Sequence, residues 1–345
     1  MILSFSIIIP VFNRPQEIDE LLERLTKQDF SDDFEVLIID NLSNTSIEVL
    51  DKITSITGIK PAYFNIDLKD KAVVKEFFKN NSVDGIIHFA ASKAVGESVE
   101  NPLLYYENNI NSLVYLLQEL QNKPSSNFIF SSSCTVYGQA EEMPITENAP
   151  IQVAMSPYGN TKQIGEEIIR DVAKVSTIKA ILLRYFNPIG AHPSAAIGEL
   201  PIGVPQNLVP FITQTGLGLR KELSVYGNDY PTPDGTAVRD YIHVVDLAKA
   251  HVIALKRLLE NKNASSVETF NLGTGTGSSV LEVIQAFENV SGQKLPYKIV
   301  DRREGDVTSA YANTDKANTV LGWKAESTLE EAMASAWKWE QKIRS

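Results

Sequence analysis

The sequence predicts an α/β fold, a doubly wound and mostly parallel sheet followed by a smaller C-terminal lobe. Two observations carry this expectation. Over the first three fifths of the 345 residues, short apolar runs alternate with helical patterns. Residues 187–205 then hold four prolines and three glycines, which breaks the alternation and marks the passage to a looser region.

The elements follow in order. Strand candidates are residues 6–9, 35–39, 61–64, 85–89, 127–131 and 179–184. Each is short, apolar and rich in β-branched or aromatic side chains, as a strand covered on both faces must be. Helical patterns lie between them, at 16–27, 72–79, 102–121 and 158–174. The expected division is a first domain over 1–187 and a lobe over 188–345, with about 237–275 returning to the first domain. The lobe is expected over the carboxyl ends of the strands, where open α/β sheets bind ligands.

Composition narrows the function. Apolar residues make up 43% and charged residues 22%, an ordinary globular balance. The net charge of −11 weighs against nucleic acid or an anionic membrane as partner. The single cysteine, Cys134, excludes an intrachain disulfide, and the four histidines show no metal-ligand spacing. No apolar run reaches the ~18 residues that cross a bilayer. The apolar start reads as a strand rather than a signal peptide, so a cytoplasmic protein is expected. A homodimer is left open.

The chemistry concentrates in Ser131-Ser-Ser-Cys-Thr-Val-Tyr-Gly138 and Tyr158-Gly-Asn-Thr-Lys162. The serines end a strand and so face the ligand crevice. Tyr158 and Lys162 are four apart on a helix and share a face. A phenol titrates near about pH 10 and is a poor base at neutrality. A neighbouring ammonium favours the phenolate, and the tyrosine can then take a hydroxyl proton while hydride leaves the same carbon. The pentapeptide alone more often means a solvated lysine beside a half-buried tyrosine. The serine-bearing strand end ahead of it turns the balance.

Further motifs make the sequence recognisable. They are Asp40-Asn-Leu-Ser-Asn44, His88-Phe-Ala-Ala-Ser-Lys-Ala-Val-Gly-Glu-Ser98, Arg184-Tyr-Phe-Asn-Pro-Ile-Gly-Ala-His192, Tyr226-Gly-Asn-Asp-Tyr-Pro-Thr-Pro-Asp-Gly235, Val238-Arg-Asp-Tyr-Ile-His243 and Arg302-Arg-Glu-Gly-Asp306. From about residue 40 onward the chain resembles the UDP-glucose (UDP-galactose) 4-epimerases of the extended short-chain dehydrogenase/reductase family. The resemblance implies a Rossmann-like sheet, NAD as cofactor and a UDP-sugar as substrate. It implies that Tyr158 removes the proton from the sugar 4-hydroxyl, that Ser133 bridges by hydrogen bond, and that Lys162 keeps Tyr158 acidic. Hydride passes from C4 to NAD, and the 4-keto sugar turns over before hydride returns.

Cofactor contacts implied in the same way are Asp40, Asn41, Asn44, Asp67, Leu68, Phe89, Ala90, Lys93, Asn108, Tyr158, Lys162 and Phe186. A carboxylate such as Asp40, at the end of a second strand, suits the adenine ribose hydroxyls. Implied substrate contacts are Ser133, Asn187, Asn207, Leu208, Tyr226, Arg239, Arg303, Asp306 and Ala310. The arginines suit a diphosphate through paired, charge-assisted bonds. Counting from Asp306, the residue that walls the pocket near the sugar's 2-position falls on Ala310, whose small side chain would admit an N-acetyl group. A slip of one place would put Tyr311 there instead.

The N-terminus departs from this family. Its first strand normally runs into a glycine-rich turn, where the backbone approaches the pyrophosphate. Here Pro10-Val-Phe-Asn-Arg-Pro-Gln-Glu17 stands in that place, and no glycine precedes Gly58. Residues 4–40 resemble instead the opening of a family 2 glycosyltransferase, so the chain looks like a junction of two genes at 38–40. The side chains of Phe12, Asn13 and Arg14 are therefore expected to weaken NAD binding. A second glycine-rich stretch, near Gly273-Thr-Gly-Thr-Gly277, mimics a dinucleotide loop, but its third glycine is one place early, and Ser278 or Ser279 reads as a helix cap.

Three alternatives stand beside this reading. A dehydratase or decarboxylase needs an added acid or base beside Tyr158, where Cys134 and Thr135 offer none. A glycosyltransferase needs an acidic metal-binding motif that does not follow Asp40. A catalytically impaired, epimerase-like UDP-sugar-binding protein remains, because of the missing glycine loop.

Overall fold

The computed structural model describes residues 5–10 (as backbone), 34–201, 203–303 and 306–345. The helical pattern at 16–27 and the side chains of Phe12, Asn13 and Arg14 lie outside the described residues.

Seven parallel strands form the large sheet. They are β1 (Phe5–Pro10), β2 (Phe34–Asp40), β3 (Ala62–Asn65), β4 (Gly85–His88), β5 (Ser126–Ser133), β6 (Ile178–Tyr185) and, far along the chain, Val267–Leu272. The first six match the expected strands to within one or two residues. The spatial order is β3-β2-β1-β4-β5-β6, with Val267–Leu272 on the outer edge of β6. The order reverses between β1 and β4, and the crevice at the carboxyl ends there is where such sheets take ligands.

Period-two alternation sorts the strand residues onto two faces. Ile38, Ile87, Ile129, Ile181 and Leu183 pack on one side with helices α1 (Val49–Thr57) and Val244–Leu259. Leu37, Ile39, Ile86, Phe128, Phe130 and Leu182 pack on the other, against α2 (Lys71–Asn80), α4 (Pro102–Leu120) and α5 (Pro157–Val175), while α3 (Val95–Glu100) lies against α4 and α5. Every residue of β4 and all but one of β6 are buried, which is why their centres are continuously apolar.

A separate apolar core joins Ile189, Val209, Ile212, Val225, Phe287, Met333 and Trp337. Around it lie short strands: β7 (Asn187–Ile189), β8 (Leu223–Tyr226), β9 (Val238–Arg239) and β10 (Tyr241–His243). With them are α6 (Leu208–Gly216), then α7, the sheet-covering helix Val244–Leu259, and β11, the outer sheet strand Val267–Leu272. The chain closes with β12 (Ser278–Ser279), α8 (Val280–Ser291), β13 (Tyr297–Val300), β14 (Ser309–Ala310) and α9 (Leu329–Arg344).

Candidate active site

The end of β5 distributes its three serines by alternation. Ser131 and Ser132 face opposite sides: the Ser131 hydroxyl meets Tyr185 Oη at 3.0 Å and His251 Nε2 at 3.4 Å, whereas Ser132 donates to Glu166 Oε1 at 2.6 Å. Ser133 caps the 3₁₀ turn Cys134–Tyr137, its Oγ accepting from Thr135 N at 3.2 Å.

Helix α5 begins with Ser156 as cap, accepting from Gly159 N at 3.1 Å, and with Pro157 in its first turn. Tyr158, Lys162 and Glu166 then recur at intervals of four and are all buried. The Lys162 ammonium donates to the Ser131 carbonyl at 2.8 Å and lies 5.8 Å from the centre of the Tyr158 ring. Lys162 is only 4% exposed, which rules out the solvated-lysine meaning of the pentapeptide. Beside it, burial first and the Lys162 charge second push the His88 pKa down to about 3, so this imidazole is neutral at physiological pH.

One turn further, Glu166 clamps the helix to two strands. It accepts from Arg184 Nε at 2.8 Å and from Arg184 Nη2 at 2.5 Å, in addition to the Ser132 bond. Asn109 of α4 makes a second clamp. It accepts from Ser92 N at 2.7 Å and donates to Ser92 O and Thr161 Oγ1, both at 3.0 Å, joining the loop after β4 to α5. Sequence reasoning missed both residues, because their partners lie tens of positions away.

The expected cofactor residues follow the carboxyl ends of β2, β3 and β4. Asp40 ends β2, and its Oδ1 accepts from Leu42 N at 2.5 Å. Its Oδ2 is buried and has no partner among the described residues. Burial pushes its pKa up to about 7 against that backbone bond. An orphaned carboxylate oxygen at this strand end fits the hydroxyls of a nucleotide ribose. Asn41 turns back on Ser43 N at 3.1 Å, and Asn44 is half-buried further along the turn. Asp67 caps Lys69 N at 2.9 Å, and Leu68 is buried. After β4, Phe89 packs on His251 with ring centres 4.5 Å apart, Ala90 is half-buried, and Lys93 pairs with Glu199 at 3.6 Å. Asn108 donates to Ser92 Oγ at 3.2 Å.

The expected substrate residues sit around the second core. Buried Phe186 leads from β6 into β7, where Asn187 N donates to Asp240 O at 2.9 Å. Asn207 stands at the start of α6, just ahead of half-buried Leu208, and donates to Glu199 Oε1 at 2.8 Å. The Arg303 guanidinium covers the Tyr226 ring at 3.9 Å. Arg239 forms an ion pair with Asp306. Ala310 pairs in register with Arg239. Its neighbour Ala312 packs with Val136, Tyr137 and Phe186, whereas Tyr311 lies against Gly277.

The second glycine-rich stretch is held by Asp240. This fully buried carboxylate accepts from Thr274 N at 2.8 Å, Gly275 N at 3.3 Å and Ala312 N at 3.1 Å. Its oxygen would lie 2.2 Å from a Cβ at Gly273, so the glycine serves this close approach rather than a pyrophosphate. Of the two serine candidates, Ser279 is the cap of α8, in a reciprocal capping box with Glu282.

A serine-ended central strand, a buried Tyr–Lys helix and a buried carboxylate at the end of β2 define the extended short-chain dehydrogenase/reductase class. The chain belongs to the family described as GDP-mannose 4,6 dehydratase, whose model matches residues 19–336. Similar curated proteins include UDP-glucose 4-epimerases. That of Bacillus subtilis (strain 168) is 48% identical over 308 residues, 89% of this chain and 90% of that one. That of Mus musculus is 46% identical over 312 residues, 88% of this chain and 89% of that one. Among solved structures, the UDP-glucose 4-epimerase of Stenotrophomonas maltophila, with bound NAD and formylated UDP-arabinopyranose, is 40% identical with a TM-score of 0.92 and covers 99% of both chains. That of Bifidobacterium longum, in complex with NAD+ and UDP, is 42% identical with a TM-score of 0.89, covering 98% of this chain and 99% of that one.

Proposed function

We propose that the chain is an NAD-dependent UDP-glucose 4-epimerase, interconverting UDP-glucose and UDP-galactose in galactose metabolism. The observation that carries this reading is the buried α5 face, on which Lys162, tied to the end of β5, stands beside Tyr158. Tyr158 takes the proton from the sugar 4-hydroxyl and later returns it, with Ser133 Oγ between them. The Lys162 ammonium favours the phenolate, and neutral His88 adds no competing charge. When bound, NAD accepts the hydride from C4 and gives it back to the opposite face of the ring.

Asp40, with Asn41, Asn44, Asp67, Leu68, Phe89, Ala90, Lys93, Asn108 and Phe186, holds the cofactor in this reading. Arg239 and Arg303 hold the diphosphate, with Asn187, Asn207, Leu208, Tyr226 and Asp306 completing the substrate site. Ala310 walls the 2-position and leaves room for an N-acetyl group. Residues 1–187 with about 237–275 form the cofactor domain, and the rest the substrate lobe. Burial pushes the Cys134 thiol up to about 11, so it supplies no acid or base of the kind a dehydratase needs. The retained catalytic set favours a working enzyme over an impaired binding protein. A homodimer belongs to this reading, supported by exposed Val95, Val99, Leu103 and Leu104 on neighbouring helices. So does a cytoplasmic location, supported by the lone cysteine.

The test is epimerisation of UDP-galactose by the purified chain. Tyr158→Phe is expected to lower kcat by ~10²–10⁴ and Lys162→Met to lower it as well. A Tyr158→Phe protein that turns over at the parent rate would end the assignment.

A further inference from the structure

One face of helix α9 holds a single segment, residues 191–199. Ser335, Lys338, Trp339 and Lys342 stand at i, i+3, i+4 and i+7, so they share a face. Ser335 Oγ accepts from Ala191 N at 3.0 Å. Lys338 Nζ donates to Pro193 O at 3.2 Å, and Lys342 Nζ to Ser194 O at 3.4 Å. Trp339 Nε1 donates to Glu199 O at 2.9 Å. The indole also lies across Gly198, where a Cβ would fall 2.2 to 2.3 Å from ring atoms. This segment carries the prolines and glycines that break the sheet pattern, so its backbone gains little order from regular structure.

The Glu199 side chain does the opposite job. Its Oε1 accepts from Asn207 Nδ2 at 2.8 Å and pairs with Lys93 Nζ at 3.6 Å. One residue therefore joins the tail helix, through its backbone, to the loop after β4 and the start of α6, through its carboxylate. We propose that Trp339 is a positioning residue for the sugar end of the pocket, fixing Glu199 and through it Asn207 and Lys93. The inference rests on the reading in which Asn207 faces the nucleotide-sugar and Lys93 the cofactor beside it. Trp339 itself touches neither cofactor nor sugar in this scheme.

Trp339→Phe keeps an aromatic ring beside Gly198 and removes the N–H together with part of the indole. Gly198→Ala displaces the ring from the other side. Calorimetry with UDP-glucose and with UDP separates the sugar end from the nucleotide end. Loss of one part-buried hydrogen bond is expected to weaken UDP-glucose by about three- to tenfold in both variants, with UDP unchanged within about twofold. In turnover, KM should rise while kcat holds. Equal weakening of UDP and UDP-glucose would show a general folding role and overturn the proposal. Unchanged binding of both by Trp339→Phe would overturn it too. A parent chain that binds neither ligand sinks the functional reading and this inference with it, an outcome distinct from a parent that binds and a variant that matches it.

Discussion

Replacing Asp40 by asparagine should make the NAD-free protein more stable at alkaline pH while weakening its hold on NAD. Burial raises the Asp40 pKa from 3.8 to about 7, and the Leu42 N–H offsets this only in part. The folded chain thus keeps a proton that the unfolded chain releases between these values. For a folded pKa raised above the unfolded one, the stability contribution is complete below the unfolded value and is lost as pH rises through the folded value. A rise of about 3, at ~1.36 kcal/mol each, corresponds to about 4 kcal/mol lost by pH 8. Water reaching the carboxylate reduces this, so about 2–4 kcal/mol is expected. Asparagine keeps the oxygen facing Leu42 N and does not titrate. Urea unfolding of parent and Asp40→Asn at intervals from pH 4 to 8 should show a stability difference that moves steadily in the variant's favour. A difference that stays flat across this window would refute the reasoning.

Two further predictions concern neighbouring parts. Glu166→Gln leaves Arg184 buried without its carboxylate and should cost about 3–5 kcal/mol of stability, read from the urea midpoint; a loss below about 1 kcal/mol would show that the ion pair is not what anchors α5. Ala310→Tyr should weaken UDP-N-acetylglucosamine far more than UDP-glucose in a binding comparison, and equal effects on both would remove Ala310 from the pocket wall.

The fold was legible because each β–α step announces itself locally. Residues 86–87 and 180–183 are apolar without interruption because they are buried on both faces of the sheet, and the Ser279–Glu282 box marks its helix start within four residues. The closeness of Tyr158 and Lys162 was legible for the same reason, since they need only one helical turn to meet. What the sequence does not show is what reaches across the fold. Glu166 reads as one more helix-surface glutamate until Arg184 and Ser132 close on it. Asp240 reads as part of a motif, and its role in tying Gly275 to Ala312 depends on three distant segments. Trp339 looks like a core residue of the last helix. Asp40 could be named as a ribose-binding carboxylate, but its raised pKa follows from burial that no local pattern encodes.

The place of β11 has a consequence for how this chain comes into being. β6 ends at Tyr185, yet the strand that covers its outer edge is Val267–Leu272. On the ribosome, all of residues 186–266 must be made before that edge is paired. Through this interval the nascent sheet presents a row of bare N–H and C=O groups, open to any other extended chain. A gene cut after residue 187 would make the exposure permanent. The two ends of this polypeptide are therefore committed to each other during synthesis, and the first half cannot reach its final form ahead of the second.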